Sequence, residues 1–162
     1  MAAPKNSFKE ALKNHQLQIG FWQSLSSVTT AEISAQVGFA WLLIDGEHAP
    51  NSVENIANLL RVIDASDSNA VVRVVAGITH DIKQILDVGA QTILVPMVET
   101  AHQAQEMVRA VHYPPSGVRG AASITRAAKY GNISNYAASA NDEICLLVQA
   151  VSQTALDNLE SI

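Results

Sequence analysis

Five short apolar runs mark out the chain: LQIGFW (17–22), AWLLID (40–45), AVVRVV (70–75), QTILVPM (91–97) and EICLLVQ (143–149). Each is continuous rather than alternating, and each is rich in Val, Ile or Leu. Strands covered on both faces, as in a parallel sheet, read this way. Between the runs the apolar period lengthens to that of a helix. Ile56, Leu59, Leu60 and Ile63 share one helical face, and Ile82, Ile85 and Leu86 share another. Helix starts are predicted at Thr29 (with Glu32), Asn51 (with Glu54), Thr79, Thr100 and Ser152, and Gly38 and Gly89 stand where helices end. One connection is long. YPPSGVRGAASITRAAKYGNISNYAASAND, between the fourth and fifth runs, holds a Pro-Pro turn, Gly117, Gly120 and a predicted short extra helix.

Strand and helix alternate five times in a single domain spanning residues 1–162. This predicts an α/β fold with a parallel sheet. Two architectures fit: an open doubly wound sheet, or part of a (β/α)₈ TIM barrel. The first unit lacks the G-x-G-x-x-G turn of a dinucleotide fold. Polar residues instead follow several strand ends: Trp22 and Gln23, Asp45 to His48, Arg73, Glu99 and Gln149. Chemistry at strand C-termini is the barrel habit. A complete barrel takes roughly 250 residues, so the expectation is a partial barrel of about five of the eight βα units.

Composition narrows the class further. Hydrophobic residues are 48% and charged ones 15%, enough for a sizeable core. The net charge is -5, and the basic residues are scattered. That argues against nucleic acid or an anionic membrane as partner. No apolar run approaches the roughly 20 residues of a membrane span. The opening MAAPKNSFKEALKNH is polar and amphipathic, without the apolar centre of a secretory signal. The single cysteine, Cys145, sits in an apolar run and reads as a small buried hydrophobe. A soluble cytoplasmic protein is expected.

His48 is the leading chemical candidate. It lies just past a buried strand, with Asp45 and Glu47 three and one residues before it. A neighbouring carboxylate fixes an imidazole's tautomer and raises its basicity, which suits a general base. A loop histidine is also a common surface group, and both readings stand at this point. Arg73 interrupts an apolar strand, so its guanidinium needs an anion: a structural acid, or a substrate carboxylate or enolate oxygen. Gln149 offers a neutral hydrogen-bonding group at the end of the fifth run. Trp22 fits either core or pocket wall. YPPSGVRG is either a plain turn or a glycine loop presenting N–H groups to an anion.

Taken together, WLLIDGEHAPN, VVRV, LDVGAQTILVPM, YPPSGVRG and EICLLVQ resemble the HpcH/HpaI family of class II pyruvate aldolases, most closely its hydroxy-oxo-heptanedioate aldolases. The resemblance implies an oligomeric (β/α)₈ barrel. It also implies cleavage of a hydroxy-oxo-diacid to pyruvate and succinate semialdehyde in aromatic compound catabolism. A divalent metal, Mg, Mn or Co, would assist. On this resemblance His48 is the base, Arg73 steadies the enolate oxygen, and Asp87 raises the basicity of the histidine. Asp45 lies nearer to His48 by sequence than Asp87 does, and Gln149 binds substrate. The family's metal-binding glutamate follows that glutamine as Q-x-E. Here Val151 stands in its place, so protein ligands for the metal are expected to be lacking.

Overall fold

The computed structural model describes residues 1–162. Five strands, β1 (Gly20–Gln23), β2 (Trp41–Asp45), β3 (Asn69–Arg73), β4 (Thr92–Val95) and β5 (Cys145–Val148), form one parallel sheet. Their spatial order is their chain order. This separates the two architectures. A doubly wound sheet reverses its order at a switch point. A sheet that always adds its next strand on the same side, by right-handed crossovers, keeps its helices on one face. Helices α2 (Val28–Gln36), α3 (Val53–Ile63), α4 (Thr79–Asp87) and α5 (Ala101–Val111) follow β1 to β4 in turn. The chain is the wall of a (β/α)₈ barrel.

Both faces of that wall are apolar, which is why the strands read as continuous runs. On the outer face Leu42, Ile44, Val72, Ile93 and Val95 pack against Leu59, Leu60, Leu86 and Met107 of the helices. On the inner face Leu43, Val71, Leu94 and Cys145 pack against Phe8 of α1 (Ser7–Lys13). α1 lies over the N-terminal ends of the strands. Asn6 Nδ2 donates to Thr92 Oγ1 at 3.1 Å, and Ser7 Oγ to Asn69 Oδ1 at 2.6 Å. Cys145 is buried in this inner cluster, and burial pushes its thiol pKa up, so it stays an unreactive hydrophobe.

The strands are shorter than the apolar runs. Pro96 has no N–H to donate, and β4 stops at Val95. Glu143 belongs to α6 (Tyr136–Glu143), not to the fifth strand. Three helix starts also differ from expectation. Ser27, not Thr29, caps α2 by accepting from Thr30 N. Ser52, not Asn51, caps α3, because the Asn51 amide is drawn to the Asp45 carbonyl. α4 has no side-chain cap, and Thr79 is its first residue. Thr100 does cap α5, with Gln103 completing a capping box, and Ser152 caps the short α7 (Gln153–Asp157). No helix is long and apolar enough to cross a membrane.

The long connection folds into a second small cluster of Ala3, Tyr113, Ala127, Ala128, Ile133, Tyr136 and Ala140. Its YPPSGVRG segment is a turn. The N–H groups of Val118 and Arg119 are spent on the carbonyls of Arg109 and His112, at 2.8 and 2.9 Å. A Cβ on Gly117 would lie 2.2 Å from the His112 oxygen, so only glycine fits there. Those two N–H groups are thus not free for an anion.

Candidate active site

Side chains alternate between the two faces of a strand. The positions after the inward Leu43, Val71 and Leu147 are therefore Asp45, Arg73 and Gln149. All three fall at the C-terminal mouth of the wall. Asp45 and Arg73 are direct neighbours in the register of β2 and β3. Arg73 Nε and Nη2 donate to Asp45 Oδ1 and Oδ2 at 2.9 and 2.7 Å, a bidentate pair. Trp22 on β1 is exposed rather than core. Its indole N–H donates to Asp45 Oδ2 at 3.2 Å, and Arg73 Cζ lies 5.0 Å from its ring centroid.

Asp45 is 2% exposed. Burial alone would raise its pKa. The bonds from Arg73, then those from His48 N–H, Trp22 and Glu47 N–H, outweigh burial and hold the carboxyl well below the usual carboxylate range. The same bond raises the pKa of Arg73 above its ordinary value. Asp45 thus stays ionised as the anchor of the site, and it orders the loop after β2. Its Oδ1 accepts the main-chain N–H groups of Glu47 and His48 at 3.0 and 3.2 Å. Asn51 Nδ2 donates to the Asp45 carbonyl at 2.7 Å and closes the loop from its far end.

His48 is held by this backbone while its side chain is 72% exposed. The acidic neighbour of its ring is Glu47 rather than Asp45. Glu47 Oε1 lies 3.5 Å from His48 Nε2. Glu47 Oε2 lies 3.0 Å from Arg73 Nη1, yet it is buried without a well-aligned hydrogen bond. Glu47 therefore stands between the Arg73 guanidinium and the His48 imidazole. In the sequence Glu47 stands out as an acid beside His48, and Asn51 as a helix cap. The compactness of D-x-E-H was the available signal.

Asp87 is not near this group. It ends α4, which runs back from the C-terminal to the N-terminal edge of the sheet. There Asp87 Oδ1 accepts from Arg119 Nη2 at 2.7 Å. Within one chain it is paired with Arg119 rather than with His48. Gln149, one residue past β5, is fixed by its backbone, with its N–H on Val95 O at 2.9 Å. Its side-chain Oε1 is buried with no protein partner.

The loop leaves β2 at Gly46, whose N–H donates to Arg73 O at 2.8 Å. A Cβ there would sit 2.6 Å from that carbonyl oxygen. Gly46→Ala is expected to push the loop off β3 and cost about 1–3 kcal/mol, the scale of overpacking. Urea unfolding measures the loss, and an unchanged midpoint would mean the contact yields freely.

The donors present do not fit a divalent cation. No three carboxylate, imidazole or thiol groups gather anywhere in the chain. Asp45 is committed to Arg73, Trp22 and two N–H groups, and Glu47 to Arg73. Val151, where the family glutamate would stand, is 59% exposed and has no donor atom.

The profile of the HpcH/HpaI aldolase/citrate lyase family matches residues 18–162. The chain belongs to this family. It is 52% identical over 158 residues to the 2-keto-3-deoxy-L-rhamnonate aldolase of Escherichia coli (strain K12), covering 97% of this chain. The chain spans 59% of the length of that relative. An HpcH/HpaI aldolase/citrate lyase family protein from Burkholderia cenocepacia J2315 superposes with a TM-score of 0.95 at 39% identity, over 98% of this chain and 64% of that one. The HpcH/HpaI aldolase of Desulfitobacterium hafniense DCB-2 gives 0.83 at 28% identity, over 95% of this chain and 60% of that one. The family expectation holds. The 52% relative is named for a deoxy sugar acid rather than for a heptanedioate.

Proposed function

We propose that this member of the HpcH/HpaI family is built for retro-aldol cleavage of 4-hydroxy-2-oxo acids to pyruvate and an aldehyde. The observation that carries this reading is the common mouth shared by His48, Arg73 and Gln149. His48 takes the proton of the C4 hydroxyl. The C3–C4 bond breaks, the aldehyde leaves, and the electron pair passes into the enolate of pyruvate. Arg73 faces the enolate oxygen, the Gln149 side chain orients the oxo-acid, and Trp22 walls the pocket. Protonation at C3 completes pyruvate. No lysine occupies a strand-end position in the sequence from which to form a Schiff base, so the electron sink must be external charge rather than an imine.

Among substrates, 2-keto-3-deoxy sugar acids have the required C4 hydroxyl, and the 52% relative favours them over hydroxy-oxo-heptanedioate. The chain is proposed to work as a homo-oligomer in the cytoplasm. β1 and β5 each pair on one side only, and Leu17, Ile19 and Leu25 beside β1 are exposed. An acid partner for His48 at Asp87 would have to come from a second copy. A non-catalytic half-barrel module is the second reading, favoured by Val151 alone.

The test is pyruvate release from 2-keto-3-deoxy-L-rhamnonate and from 4-hydroxy-2-oxo-heptanedioate. It uses the chain alone and a chimera that continues residues 1–162 with the remaining βα units of the Escherichia coli relative. Little release is expected from the chain alone. The chimera carrying Val151→Glu, with Mg²⁺, Mn²⁺ or Co²⁺ supplied, is expected to release pyruvate at a clearly higher rate than the chimera with Val151. No release from either chimera would favour the non-catalytic reading.

A further inference from the structure

Arg73 has five N–H donors in a planar fork. Nε and Nη2 are taken by Asp45, at 2.9 and 2.7 Å. The Trp22 ring lies against the guanidinium, with Cζ 5.0 Å from its centroid. Nη1 is therefore the edge left for an incoming anion, and that edge is occupied. Glu47 Oε2 sits 3.0 Å from Nη1. The contact is poor: Oε2 is buried, lacks an aligned hydrogen bond, and shares its carboxylate with an Oε1 that stops 3.5 Å short of His48 Nε2. Glu47 is thus an anion with two cationic or basic neighbours, fully engaged by neither. The charged groups facing it are Asp45 on β2, Arg73 on β3, His48 in its own loop, and Glu106 on α5 across a small cavity that Glu47 also lines. The two other carboxylates oppose a third anion beside them, so an arriving oxo-acid makes the present seat of Glu47 worse.

We propose that Glu47 is a positioning residue that couples the clamp to the base. A 2-oxo acid anion seated on Arg73 Nη1 displaces the Glu47 carboxylate, which closes onto His48 Nε2 and readies the imidazole only when substrate is in place. The move is small, from 3.5 Å to the roughly 2.9 Å of a hydrogen bond. It rests on the reading of Arg73 as the anion clamp of an aldolase, and it assigns to Glu47 a role that an ordinary ion pair would not have.

The test uses oxalate, a planar dianion resembling the pyruvate enolate, with the chain as it stands in chelator-treated buffer. Calorimetry compares the wild-type chain with Glu47→Gln, which keeps the shape and removes the competing charge. NMR then follows the His48 ring through a pH titration with and without saturating oxalate. Glu47→Gln is expected to bind oxalate about tenfold tighter, the scale of one charge-assisted hydrogen bond. Oxalate is expected to raise the His48 titration midpoint in the wild type and to leave it nearly unmoved in the variant. Equal or weaker binding by Glu47→Gln, or the same His48 shift in both proteins, overturns the coupling and leaves the aldolase reading intact. No oxalate binding by either protein removes Arg73 as the clamp, and the aldolase reading fails together with the coupling.

Discussion

Asp45→Asn is expected to destabilise the chain by about 3–5 kcal/mol, the cost of breaking a buried ion pair from one side. The amide has nearly the shape of the carboxylate, so packing is unchanged. What changes is the charge opposite Arg73, a residue 9% exposed and set in an otherwise apolar strand. Glu47 is its one remaining ion-pair partner, and that contact is poorly aligned. The two loop N–H groups on Oδ1 lose their charged acceptor as well. Urea unfolding at neutral pH measures the effect. A loss under about 1 kcal/mol, the scale of a surface pair, would mean that water or Glu47 replaces Asp45. The pH dependence has a definite sign. The native carboxyl titrates well below its unfolded value of about 3.9. Its contribution is therefore present above that value and is lost as pH falls toward the native pKa. Wild-type stability should decline below about pH 4, and the Asn variant should lack this part of the slope.

His48→Ala is expected to act the other way round, with a large effect on turnover and little on stability. Its side chain is 72% exposed. Removing it should leave the unfolding free energy within about 0.5 kcal/mol. Loss of a general base costs roughly 10²–10⁴-fold in rate. Pyruvate release by the Val151→Glu chimera is the measurement, with His48→Gln as a control that keeps a polar group and loses the basic nitrogen. Unchanged turnover would remove His48 from the reaction and move the base to another group at the mouth.

The fold was legible because the sheet is covered on both faces. AWLLID and AVVRVV could be little else than buried strands, and Asp45 and Arg73 are paired by register once those strands lie parallel. The site was legible only where chemistry interrupts an apolar pattern, as Arg73 does. Partners that depend on side-chain direction were not. Asp45 precedes His48 by three residues, yet an Asx-type turn sends its carboxylate to the backbone of His48 and leaves the ring to Glu47. Asp87 lies in a motif shared with aldolases, but helix α4 carries it to the far edge of the sheet, a reversal that motif spacing does not encode. Helix caps failed for a related reason. Asn51 has the chemistry of a cap, and a longer-range acceptor at Asp45 claimed it.

The N-terminal segment bears on how the chain is made. Each strand pairs only with its neighbours in sequence, so the wall can grow one unit at a time as the polypeptide leaves the ribosome. α1 and its approach are the exception. The N–H of Asn6 donates to Glu143 Oε2 across 137 residues, and Lys5 Nζ meets Glu143 Oε1 at 2.6 Å. Lys5 and Asn6 therefore cannot reach their final contacts until α6 has been made, just ahead of β5. Phe8, which completes the inner cluster, must wait with them for Cys145. A segment made before the sheet is thus the latch that closes on it last.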